Sequence, residues 1–207
     1  MSDFGNVKIT GNSLQKLKFL ETFDAVKKYC DPDAASRLKD TEFIFDNNIH
    51  KDIDAILNST ITTKNNKIIN YKHQIKYSEN FIKLPIKERG GVLCHELKHI
   101  DYEKKQNNSY VFGSKEDESA AIAAQDSFKQ NYSKAEGKFF KVRSKEEIKN
   151  YLNENPFYKC LPEKPPTTEE GKDKAVSEYE TCKAGIKGNT SFFKKENSNE
   201  IKKEVKK

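Results

Sequence analysis

The sequence predicts an α+β chain in which a small sheet precedes a run of helices. Three observations lead there. Between Asn12 and Cys30 the apolar residues Leu14, Leu17, Leu20, Phe23, Val26 and Tyr29 recur at helical spacing. Between Thr41 and Leu84 come short β-branched and aromatic runs, and the triplet Lys64-Asn65-Asn66 between two of them reads as a hairpin turn. From Pro85 onward the pattern is helical, with polar breaks.

Each element has a local reason. Asn12 or Ser13 can cap the first helix, and Asp31-Pro32 ends it, because proline disfavours the helical conformation in the residue before it. Thr41–Asp46, with Phe43, Ile44 and Phe45 in a row, reads as a strand. His50–Leu57 is expected to form a short helix, and Thr60–Thr63 and Lys67–Lys72 the two arms of the hairpin. Gln74–Tyr77 and Asn80–Leu84 continue the strand pattern. Pro85 suits the first turn of a helix, where its missing N–H is not needed, and this helix runs to about Gln106. Asn107-Asn108-Ser109 breaks it. Further helices are expected at Lys115–Gln130, Ser144–Asn153 and Thr168–Lys183. The chain divides into a main domain over 1–156, a Pro-rich, charged extension over 157–185 carrying one helix, and a Lys-rich tail over 186–207 whose composition predicts disorder.

Composition narrows the function classes. Apolar residues make up 34% of the 207 and charged residues another 34%, so the core must be economical, with 13 Phe and 9 Tyr as its large packing units. The net charge of +6 is carried almost wholly by lysine, dispersed along the chain, with Arg37, Arg89 and Arg143 the only arginines. Nucleic-acid grooves favour the bidentate arginine fork, so no nucleic-acid partner is expected. No apolar run approaches the ~20 residues that span a bilayer, so no transmembrane segment is expected. A monomer is the expectation. Residues Met1–Thr10 lack the basic start and apolar block of a signal peptide, which favours the cytoplasm. The alternative is an exported mature form in which Cys160 and Cys182 close a disulfide. With no CxxC pair, a cysteine zinc knuckle or thioredoxin-like site is not expected.

One segment carries chemistry: Cys94-His95-Glu96-Leu97-Lys98-His99, a His-Glu-x-x-His pattern inside a predicted helix. Residues four apart share a helix face, so His95 and His99 can reach one Zn2+. Glu96 lies one residue further round, where it can take a proton from a water held in the site. Leu93, Leu97 and Ile100 form an apolar face that buries the helix. A catalytic zinc needs a third protein ligand. The following helix offers Glu116, Asp117 and Glu118, and Glu118 is favoured because Ala120, Ala121, Ala123 and Ala124 beyond it let the two helices approach. Glu116 and Asp117 fit a structural role in the first turn, where the helix dipole favours acids.

On His95, Glu96, His99 and the Glu118-x-x-Ala121 pair, the chain resembles the gluzincin type of HExxH zinc metallopeptidase over roughly Phe81 to Phe128. The resemblance implies a zincin-like sheet, an active-site helix and a glutamate-bearing zinc helix. It also implies hydrolysis of peptide bonds in a peptide or protein substrate, with Glu96 as general base. In that family an edge strand before the active helix pairs with the substrate, a place Gln74–Leu84 would take here. Lys98 and Asp101 depart from the family's usual residue types and suggest a helix flank nearer solvent. The rival expectation is a non-enzymatic binding module on the same frame, such as a toxin or effector component.

Other residues complete the set. Asp101 or Asp126 is expected to accept the second N–H of a ligand histidine. Tyr110, between the two zinc helices, is a candidate to stabilise an oxyanion. Cys94 points away from the histidines and reads as a core thiol, and His50 and His73 as ordinary surface residues.

Overall fold

The structure, a computed structural model, describes residues 7–49, 53–64, 67–105 and 113–187. His50, Tyr110 and the tail from 188 onward therefore lie outside the described residues, and with them the oxyanion expectation for Tyr110. The architecture is α+β, a three-stranded mixed sheet with helices around it.

Helix α1 (Ser13–Tyr29) opens with a reciprocal cap: the Asn12 side chain accepts from the Gln15 N–H, and the Gln15 side chain accepts from the Asn12 N–H. Its core face is Phe19, Phe23 and Val26, all fully buried, while Leu14 and Leu17 are 61% and 55% exposed. A spacing of three falls short of the 3.6-residue turn, so the apolar row drifts round the helix and its first members leave the core. Pro32 does more than end α1. It opens the single-turn helix α2 (Pro32–Ala35), capped by Asp31.

The sheet has the order β1-β3-β2, with β1 (Thr41–Phe45) parallel and β2 (Ala55–Lys64) antiparallel to the central strand β3 (Lys67–Tyr77). The pairing of Lys64 with Lys67 agrees with the expected hairpin. Three sequence expectations give way here. Ala55, Ile56 and Leu57 are strand, not helix, because they pair with Tyr77, Lys76 and Ile75 of a hairpin longer than its β-branched arms suggested. Asn80–Leu84 is not strand. Ser78 caps a short helix α3 (Glu79–Lys83) by accepting from the Phe81 N–H, which buries Phe81 and Ile82. The segment expected to be the free edge is therefore central or helical, and the edge beside the site belongs to β2.

Phe19, Phe23, Phe43, Tyr77 and Phe81 form the aromatic centre of the core, with Phe19 and Tyr77 ring centroids 4.4 Å apart. Leu93, Leu97 and Ile100 seal it from below on α4 (Ile86–Lys105), as their spacing predicted. Arg89, 2% exposed, ties α4 to its surroundings by donating to Thr22 Oγ1 at 2.9 Å and to the Leu84 carbonyl at 2.7 Å. Helix α5 (Lys115–Ala135) lies against α4 so closely that a Cβ on Gly90 would sit 2.1 Å from Phe128 Cζ. That contact, with buried Ala121, sets the approach, and Ala123 of the expected alanine row faces solvent. Helices α6 (Lys145–Glu154) and α7 (Glu169–Lys187) follow, with Ile148 and Leu152 packing on Ile122 and Tyr158. Cys160 and Cys182 are joined by a disulfide across a Cα separation of 5.7 Å. No helix among the described residues is long and apolar enough to cross a membrane.

Candidate metal centre

His95 and His99 project from successive turns of α4, and Glu118 reaches them from the first turn of α5. Their nearest atoms form a triangle: His95 Nε2 to His99 Nε2 is 3.1 Å, His95 Nε2 to Glu118 Oε2 is 3.5 Å, and His99 Nε2 to Glu118 Oε1 is 3.8 Å. Tetrahedral ligands at ~2.0–2.1 Å from one ion stand ~3.3–3.4 Å apart, so the triangle fits a small cation with little adjustment. The three side chains are 12–14% exposed, leaving one side open to the cleft.

The electrostatics favour a positive charge there. Burial alone would disfavour the His99 imidazolium, but Asp117, Glu118 and Glu96 outweigh it and push the pKa up to about 10. Burial would likewise raise Glu118, yet its hydrogen bond to His95 and the nearness of both histidines hold its carboxyl below the usual range. Glu96, 9% exposed, has its carboxyl raised by burial, partly offset by His95 and His99. Its Oε2 accepts the main-chain N–H of Leu57 at 2.9 Å, which fixes it between the β2 edge and the histidines.

The structure thus brings together His95, Glu96, His99 and Glu118. It separates the remaining candidates. Glu116 is exposed and its main-chain N–H binds the Glu163 carbonyl. Neither acid expected behind a ligand histidine is there: Asp101 is fully buried against Arg37 (3.2 Å) and Lys98 (3.1 Å), and Asp126 is engaged by Arg143 (2.7 Å). Burial of Asp101 also corrects the expectation of a solvent-facing flank, since two cations neutralise it in place. Asp117 takes the outer role instead, its Oδ1 2.9 Å from His99 Nδ1. Cys94 is a core thiol, fully buried. His73 is not on the surface. It is 2% exposed, with Nδ1 3.0 Å from Ser59 Oγ, because β3 is the central strand.

The His95, His99 and Glu118 triangle lines a cavity of about 630 Å³. One wall is the start of β2, Ala55 to Leu57, with Ile53 and Asp54 before it, and the other carries Tyr151, Phe157, Tyr158 and Tyr179. Tyr158 escaped the sequence reading because it lies far beyond the motif, in the region read as an extension. Its hydroxyl pKa is raised, first by burial and then by Glu118, with Tyr151 and Glu96 adding to it, so the phenol stays protonated in the cavity that both carboxylates line. Glu103, one turn beyond His99, also lines the cavity and also went unnoticed. Compared with protein-family models, curated proteins and solved structures, the chain matches none.

Proposed function

We propose that this protein is a zinc-dependent hydrolase of peptide bonds, with His95, His99 and Glu118 holding the ion. The observation that carries the reading is the co-location of this triangle with a buried carboxylate, Glu96, held by the Leu57 N–H and lining the same cleft. A zinc ion held there would polarise the scissile carbonyl and lower the pKa of water to about 7.

The chain's own residues do the rest. Glu96 accepts a proton from the attacking water and returns it to the leaving amine, a role that its raised carboxyl, held by Leu57, suits. Asp117 Oδ1, 2.9 Å from His99 Nδ1, pairs with that nitrogen and so turns Nε2 toward the ligand triangle. Tyr158, a phenol lining the same cavity as both carboxylates, would donate to the developing oxyanion, the role the sequence assigned to Tyr110. Apart from the Leu57 N–H that Glu96 holds, the edge of β2 beside the site offers main-chain groups to an extended peptide, as the gluzincin resemblance implies for a strand beside the active helix. A zincin-like sheet is the finer fold reading that goes with this proposal.

Metal analysis tests it. Protein purified without added metal is expected to carry about one zinc per chain, the stoichiometry of a catalytic site. His95→Ala should lose it. A wild type that refuses zinc even when supplied would overturn the reading.

A further inference from the structure

The cleft's two walls are built very differently. The β2 wall is part of the sheet, with Ala55 and Leu57 paired to β3. The opposite wall draws Tyr158 and Tyr179 from either side of a long excursion, and each lies within three residues of a bridged cysteine, Cys160 or Cys182. The Tyr158 end has independent anchors. Tyr158 packs on Ile122, Ile148 and Leu152, and the next residues dock on the start of α5: the Lys115 N–H donates to the Pro162 carbonyl at 2.8 Å, and Lys115 Nζ to Glu163 at 2.7 Å. The Tyr179 end is held with little apolar burial. From 164 to 184, Ala175 is the one apolar side chain buried among the residues whose burial is described. The Lys174–Glu178 ion pair lies within α7 itself, as does the contact of Lys183 with the Tyr179 ring. Little apolar burial is available to hold α7, so the covalent link matters.

We infer that the Cys160–Cys182 disulfide is a clamp that holds α7, and with it Tyr179, against the cleft. Ligand affinity in the cleft, though not metal affinity, then depends on the thiol–disulfide state of the surroundings. The substrate class this wall selects is a peptide with a large apolar or aromatic side chain beside the scissile bond. Opening the clamp is a two-electron exchange with a dithiol. A thiolate attacks one sulfur, a mixed disulfide forms, and the second thiol displaces it, leaving both cysteines as thiols and the reductant as its own disulfide. The metal ligands stand on α4 and α5, whose packing on Leu93, Leu97, Ile100 and Ile122 this exchange does not touch. The substrate half of the inference rests on the proposed function; the clamp itself does not.

The test uses the full chain as wild type, as a Cys160→Ser/Cys182→Ser double variant, and as Tyr179→Ala with the disulfide intact. In metal-free protein, amide hydrogen exchange over α7 should rise by about tenfold or more in the double variant, since a segment without its tether opens locally. Unchanged exchange overturns the clamp, whatever the metal does. In zinc-loaded protein, both variants should bind a benzyl-bearing hydroxamate about tenfold more weakly, while acetohydroxamate and zinc affinity change by less than about twofold. Equal benzyl-hydroxamate affinity in wild type and both variants overturns the wall's role in selection. A wild type that binds no zinc refutes the proposed function, and the exchange measurement still decides the clamp.

Discussion

Asp117 Oδ1 stands 2.9 Å from His99 Nδ1, one residue before the carboxylate that completes the ligand triangle. Under the proposed function, neighbours in one helical turn divide two tasks, Glu118 meeting the metal and Asp117 orienting a histidine. Asp117→Asn keeps the shape but removes the charge that favours the correct ring orientation. It should weaken zinc affinity by about 10–100-fold, as loss of such partners usually does. Competition with a chelator measures this, and an affinity equal to wild type would return Asp117 to a mere first-turn acid.

Glu96→Gln separates chemistry from binding. The amide still accepts the Leu57 N–H, so the fold and the metal triangle should persist. It cannot take a proton, and loss of general-base help costs about 10²–10⁴-fold in rate. With zinc content unchanged, cleavage of any accepted peptide should fall by that factor. Full activity in the variant would remove Glu96 from the mechanism and favour another base.

The site's first ring was legible because it is local. Helical geometry alone places His95, Glu96 and His99, and the acid cluster of α5 lies near enough in sequence for Glu118 to be picked out. What surrounds the ring was not legible, since Tyr158, Glu103 and Leu57 reach it through tertiary packing that leaves no periodic mark. The same division holds for the fold. Helices with caps and proline signals, α1, α4 and α6, were read to within a residue or two. Ala55–Leu57 and Glu79–Lys83 were misread because a cross-strand partner and the Ser78 cap decided them, not their own propensities.

The approach of α4 and α5 makes a pair of substitutions informative. At Gly90 a methyl would enter the ring of fully buried Phe128, 2.1 Å from Cζ, and nothing there can yield cheaply. At Gly91 the nearest atom is Lys129 Cε at 2.7 Å, the far part of a flexible side chain. Alanine favours the helix by up to about 1 kcal/mol over glycine, whereas overpacking costs about 1–3 kcal/mol. Gly91→Ala should therefore be neutral or mildly stabilising, and Gly90→Ala destabilising, with a weaker metal site as α5 is pushed away. Denaturant midpoints for the two variants check this, and equal midpoints would mean that Phe128 does not set the spacing.

The last prediction concerns Glu103, buried one turn past His99 with its carboxylate 3.1 Å from Ser59 Oγ. Burial raises its pKa from 4.5 to about 7; the Ser59 hydrogen bond opposes this, Asp117 adds to it, and His99 works against it. A carboxyl raised on folding binds its proton more tightly in the native state than in the unfolded chain. Its contribution to stability is then complete below the unfolded pKa of 4.5 and is lost as pH rises through about 7. With the side chain only 13% exposed, solvent screens little of this, and the loss is on the order of 3 kcal/mol. Other raised carboxyls such as Asp54 and Glu96 move the wild-type curve in the same direction, so the difference from a variant is the informative quantity. Glu103→Gln resembles the protonated acid at every pH. Metal-free wild type should lose stability across this window relative to Glu103→Gln, and the two should agree below it. Parallel pH profiles of the denaturant midpoint would show that Glu103 stays ionised throughout, and that the cavity beside His99 is wetter than its burial implies.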